Sequence, residues 1–147
     1  MYQRILIATD GSNLSKKAAR SGIGLAKAVG ADVVAVNVIP RYPISYFEGA
    51  VGVSSDHIAK TEKLWADKAQ EVLDGICNAA GAEGVKCKAV VVRSDLVAES
   101  ILAAAKKSKC DLIVMASHGR KGIKRVLLGS ETQQVLTHSQ IPVLVLR

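Results

Sequence analysis

The chain alternates two kinds of pattern. Short, nearly continuous apolar runs rich in Val and Ile are separated by longer stretches in which apolar residues return every three or four positions. The runs Arg4–Thr9, Asp32–Val38, Cys87–Val92, Asp111–Met115 and Pro142–Leu146 predict five strands. Because they are apolar throughout rather than at every second position, both faces of the resulting sheet should be covered. Leu14, Ala18, Gly22, Leu25 and Val29 mark the buried stripe of a first helix capped by Ser12 or Asn13. A second helix is predicted from about Ser55 to Ala80, with Ile58, Trp65, Ala69, Val72, Ile76 and Ala79 inward and Trp65 as a core anchor. A third runs from about Leu96 to Lys107, with Val97, Ile101 and Ala104 inward and Ser94 or Asp95 as cap. A fourth runs from Ser130 to His138, and His57 and His138 fall on exposed helix positions.

Strands alternating with helices predict one α/β domain over residues 1–147, a doubly wound, five-stranded parallel sheet. A switch of direction in mid-chain gives the strand order 3-2-1-4-5. In such sheets ligands bind beyond the carboxyl ends of the strands at the switch point, here between the first and fourth strands. The chain leaves those ends through Thr9-Asp10-Gly11-Ser12 and Ala116-Ser117-His118-Gly119. The irregular stretch Ile39–Ser54, with Tyr42, Tyr46, Phe47, Gly49 and Gly52, reads as a lid or contact loop.

Composition adds limits. Hydrophobic residues make up 49% and aromatics 3%, so aliphatic side chains must fill the core. No apolar run approaches the ~20 residues that span a bilayer, and the start lacks signal-peptide organisation, which places the chain in the cytoplasm. Cys77, Cys87 and Cys110 are odd in number with no CxxC, so three reduced, mostly buried thiols are expected rather than a disulfide framework or a zinc site. The net charge of +7 fits nucleic acid, a phosphate ligand or plain solubility, and with no long basic run and no interleaved aromatics it does not decide among them.

The chemistry concentrates after the fourth strand. Gly119 is followed by nine residues and then Gly129-Ser130. Gly129-Ser130 opens the last helix, whose free amides and dipole form a ready anion site, with the Ser130 hydroxyl as a further donor. Gly119 allows close approach of the backbone to a ligand, and positive φ. The intervening loop carries Arg120, Lys121, Lys124 and Arg125 and no acid. A merely structural loop, with Ser130 as a helix cap, is the simpler reading. GxxxxGK[ST] is absent, and Gly22-Ile23-Gly24 lies within a helix, so neither a P-loop nor a dinucleotide fingerprint is supported.

This segment, its flanks Asp111–Met115 and Ile141–Val145, and the opening Ile5–Ser12 resemble the universal stress protein family, whose nucleotide-binding members carry G-x2-G-x9-G-S/T. The resemblance implies an ATP site, with Mg or Mn carried on the phosphates, and no fast reaction. It implies that Ala8 and Thr9 flank the base, Val38 touches the adenine, and Asp10 lies by the base or ribose and the phosphate-bound metal. Met115 and Ala116 would approach the sugar, and His118, Gly119, Arg120, Gly129, Ser130 and Glu131 would complete the nucleotide site. Ala116 replaces the motif's first glycine, which suits a site needing a small side chain but not one needing positive φ. The resemblance also implies a homodimer through the last strand, residues 143–146. A slow ATP hydrolase or phosphotransferase, and a nucleotide-free interaction protein like universal stress protein A, are the alternative functions.

Overall fold

The computed structural model describes residues 1–43, 54–120 and 128–147. Tyr46, Phe47, Gly49 and Gly52 of the lid loop, and Lys121, Lys124 and Arg125 of the basic loop, lie outside the described residues.

Five parallel strands form one sheet: β1 (Arg4–Ala8), β2 (Asp32–Ile39), β3 (Cys87–Arg93), β4 (Leu112–Ala116) and β5 (Val143–Leu146). Their order is β3-β2-β1-β4-β5, as the alternating pattern predicts. Helices α1 (Asn13–Val29) and α2 (Ser55–Ala82) cover one face; α3 (Val97–Lys107) and α4 (Ser130–His138) cover the other. The strands are apolar at every position because successive side chains feed opposite cores. Ile5 and Ile7 of β1 join Ile23 of α1 and Leu73 and Ile76 of α2. Leu6 and Ala8 join Ile101 of α3 and Val135 of α4.

The helix boundaries follow local chemistry. Ser12 caps α1, its hydroxyl accepting from the Ser15 amide, and Gly30 ends the helix in the left-handed region at φ 74°. Within α1, Gly22 rests on β1: a Cβ there would lie 2.8 Å from Ile7 Cδ1. The buried stripe of α1 is Ser15, Ala18, Ala19, Gly22, Ile23 and Ala26, centred about one position from the predicted one, with Leu14, Leu25 and Val29 on its margins. In α2 the buried residues are Ala69, Leu73, Ile76 and Ala80; Ala79 is exposed, and Trp65 is a half-buried wall residue rather than a core anchor. The α3 cap also differs. Leu96 is the capping position and has no side-chain hydrogen bond, while Ser94 accepts from the Leu96 amide.

The expectation of three reduced thiols is corrected. Cys77 near the end of α2 and Cys87 at the start of β3 form a disulfide, their Cα atoms 5.1 Å apart. Spacing alone could not show this, because the two meet only when β3 folds back antiparallel along the end of α2. Cys110 remains free and buried, and burial, against a smaller opposing effect of Arg4, pushes its thiol up to about 11. Air-oxidised protein should therefore show no reactive thiol when native and one after unfolding without reductant. A thiol titration returning three would contradict the Cys77–Cys87 bond.

Candidate functional site at the carboxyl ends of β1, β2 and β4

The chain leaving β1 turns sharply at Gly11, which has φ 80°. Buried Thr9 organises this turn: its hydroxyl accepts from the Gly11 amide at 3.1 Å and pairs with the Ser15 hydroxyl at 2.9 Å. Asp10 projects upward from it. One carboxylate oxygen accepts from the Ser12 amide at 2.9 Å, the other from the Arg120 amide at 2.9 Å. Asp10 thus does more than support α1, since it ties the β1 turn to the loop after β4 across the switch point.

Partial burial pushes the Asp10 carboxyl up, but hydrogen bonds from Ser12, Arg120 and Ser15 together outweigh it and hold the group below the ordinary aspartate value. A carboxylate depressed in this way contributes stability that is present above the unfolded value near pH 4 and lost as pH falls through the folded value. In denaturant melts of wild type and Asp10→Asn, the stability gap should narrow from about pH 5 to about pH 2. A gap independent of pH would contradict this role.

On the other side, β4 ends at Ala116, which is buried and does not have positive φ. Its carbonyl accepts from the Thr132 hydroxyl at 2.9 Å. Alanine therefore stands in the position of the motif's first glycine without backbone strain. Gly119 likewise does not have positive φ, contrary to one reason given for it. What excludes a side chain here is a neighbour within the chain, because a Cβ would run into Asp10 Oδ2.

The two ends of the basic loop meet. The Gly129 amide donates to the Ser117 carbonyl at 2.6 Å, and a Cβ on Gly129 would lie 3.3 Å from His118 Cα. Gly129, not Ser130, is the capping residue of α4, and no side chain caps it. The structural reading of Ser130 as a cap is thereby corrected: Ser130 is the exposed first residue of the helix. The leading amides of α4, which have no acceptor within the helix, sit beside the His118-Gly119 turn. His118 is half-buried, and its Nδ1 lies 3.1 Å from the Ser117 hydroxyl.

These elements enclose a cleft of about 640 Å³, within the usual range for small-molecule sites. Asp10, Val38, His118, Gly119, Arg120, Gly129, Ser130 and Glu131 all line it. A narrower recess of about 120 Å³ continues from it between the sheet and α3, and here Ala8, Thr9, Val38, Met115 and Ala116 meet Val97 and Ile101. Every residue expected at the site thus borders one of two connected spaces. Glu131 has a further task, its carboxylate accepting from the Ala98 amide at 3.1 Å and so holding the start of α3.

The cleft also has walls that the motif does not reveal. Asn37, Trp65, Lys68, Val72 and Asp95 line it as well. Asn37, a polar residue inside an otherwise apolar strand, was the one readable signal among them. Among the described residues no group of three or more His, Cys, Asp or Glu side chains could hold a metal ion. Three carboxylates line the cleft, and each accepts from backbone amides: Asp10 from Ser12 and Arg120, Asp95 from Arg41, and Glu131 from Ala98. One carboxylate suits Mg²⁺ only when phosphate oxygens and water supply the other ligands.

The doubly wound sheet, with a small-residue turn and an uncapped helix N-terminus at its switch point, defines an open α/β protein with a crevice beyond its strand ends. The chain belongs to the universal stress protein family, whose model matches residues 1–147. It is 35% identical over 147 residues to universal stress protein MJ0531 of Methanocaldococcus jannaschii, covering 100% of this chain and 83% of that one. Among solved structures, MJ0577 of the same organism superposes with a TM-score of 0.80 at 27% identity, covering 99% of this chain and 96% of that one. A universal stress protein in complex with cAMP shares the fold, with a TM-score of 0.69 at 24% identity and coverage of 99% and 97%. No described helix is long and apolar enough to cross a membrane.

Proposed function

We propose that this chain is a cytoplasmic universal stress protein that binds ATP at the β1/β4 switch point and acts as a nucleotide-dependent regulatory module. The observation that carries this reading is the uncapped start of α4, held against the His118-Gly119 turn by the Gly129–Ser117 hydrogen bond and facing the cleft. Phosphate oxygens fit there because they would accept from amides that otherwise have no partner and would sit at the positive end of a helix dipole. The adenine fits the apolar recess between Val38, Val97 and Met115, with Ala8 and Thr9 at its floor. Asp10 would meet the ribose or, through water, a magnesium or manganese ion carried on the phosphates. The relative bound to cAMP supports an adenine nucleotide as the ligand class.

The residues favour binding over turnover. Covalent catalysis needs a nucleophile oriented by a base and a third group. Among the described residues His118 pairs with the neighbouring Ser117 hydroxyl, and the Asp10 oxygens accept from backbone amides. ATP hydrolysis, if measured, should be slow. The partner we propose is a second copy of the chain meeting at β5, an edge strand on which Leu144 is 38% exposed.

Heat-denatured, freshly purified protein should release an adenine nucleotide into the supernatant, and Mg-ATP should raise the melting temperature of stripped protein. An empty supernatant together with no thermal shift would favour a nucleotide-free interaction protein instead.

A further inference from the structure

The adenine recess and the α4 amides account for one end of the cleft. The other end lies between β2 and α2. Asn37 is only 6% exposed, points to the face of β2 opposite Val38, lines the cleft and makes no hydrogen bond with any described residue. Lining the cleft, its amide offers a ligand a donor and an acceptor side by side. Above it, Trp65, Lys68, Ala69 and Val72 recur at the spacing of one α2 face and form the opposite wall. Trp65 is stacked on Tyr42, with ring centroids 6.2 Å apart and planes 18° from parallel. Arg120 closes the side: a Cβ built on Gly11 would lie 2.9 Å from its Nη2 and 3.3 Å from Val72 Cγ2. The guanidinium thus reaches from the loop after β4 towards α2. Neither Lys68 nor Arg120 forms an ion pair among the described residues.

We infer that this end of the cleft is a second base subsite, and that the ligand class includes nucleotides carrying a second nucleoside through their phosphates. The inference rests on the reading of the β1/β4 end as the mononucleotide site. An amide offers a donor and an acceptor side by side, which match the edge of adenine. An indole face stacks on any base. Lys68 and Arg120, which line the same cleft, would neutralise the bridging phosphates. A free anion would leave Trp65 and Asn37 unused, and an apolar ligand would leave the cations unused.

Trp65 is the sole tryptophan, so its emission reports on this subsite alone. The experiment is paired calorimetric and fluorescence titration of the full chain with ATP and with diadenosine tetraphosphate. The dinucleotide should bind about tenfold tighter than ATP, the gain typical of one stacked base. It should also quench Trp65 emission more strongly than ATP does. Asn37→Ala and Trp65→Leu should bring its affinity down to that of ATP. If ATP binds while diadenosine tetraphosphate binds no tighter and leaves the emission as ATP does, the second subsite is overturned and the mononucleotide site stands. If neither nucleotide binds, both readings fall.

Discussion

Gly129→Glu should abolish nucleotide binding, lowering ATP affinity by about 100-fold or more, or roughly 2.7 kcal/mol. Gly129 has φ −67° and ψ 158°, a conformation open to any residue, so the substitution introduces no backbone strain. A carboxylate at a helix N-terminus is favourable to the helix itself, and α4 should persist. The damage falls on the ligand: the new carboxylate would compete with phosphate oxygens for the same amides and repel them. Gly129→Ala grades the effect, because its Cβ would sit 3.3 Å from both Ser117 O and His118 Cα, a tight but adjustable contact. Calorimetric titration of the two variants separates charge from space. Equal affinities for wild type and Gly129→Glu would mean that phosphate lies elsewhere.

Gly119→Val has the second largest expected effect. A side chain there displaces the Asp10 carboxylate, which then cannot accept from both the Ser12 and Arg120 amides. Losing charge-assisted bonds of this kind costs of order 2 kcal/mol, with discount for exposure. In a domain of this size that lowers the melting temperature by about 4–8 °C. Binding should weaken by about tenfold as well, because the loop after β4 is no longer pinned beside the seat formed by α4. A melting temperature unchanged from wild type would show that the Asp10–Arg120 tie contributes nothing.

The fold was legible in the sequence because it rests on periodicity. Runs such as Ile5–Ala8 and Leu112–Ala116 are apolar at every position, and only a sheet covered on both faces accommodates that. The order of the strands followed from alternation with helices and from right-handed crossovers. The small residues after β4 stood out for the same local reason, and the structure brings Gly119 and Gly129 to the same cleft. What sequence could not supply was which side chains meet once the elements pack. Cys77 and Cys87 meet only because α2 packs beside β3. Glu131 reaches Ala98 across two helices, which replaces the cap expected from Ser94 or Asp95. Trp65 reads as core on an amphipathic helix, yet its turn of α2 overhangs the open end of the sheet and becomes a wall of the cleft. Gly119 stood out in the sequence, and what excludes a side chain there is its closeness to Asp10 rather than its backbone angle.

Isothermal titration calorimetry of nucleotide-stripped wild-type protein with ATP, ADP and AMP, with and without magnesium, tests the central claim most directly. The account predicts one nucleotide per chain, with affinity rising from AMP to ATP as phosphates are added at the start of α4. No heat with any of the three, or equal affinity for adenosine and ATP, would contradict it.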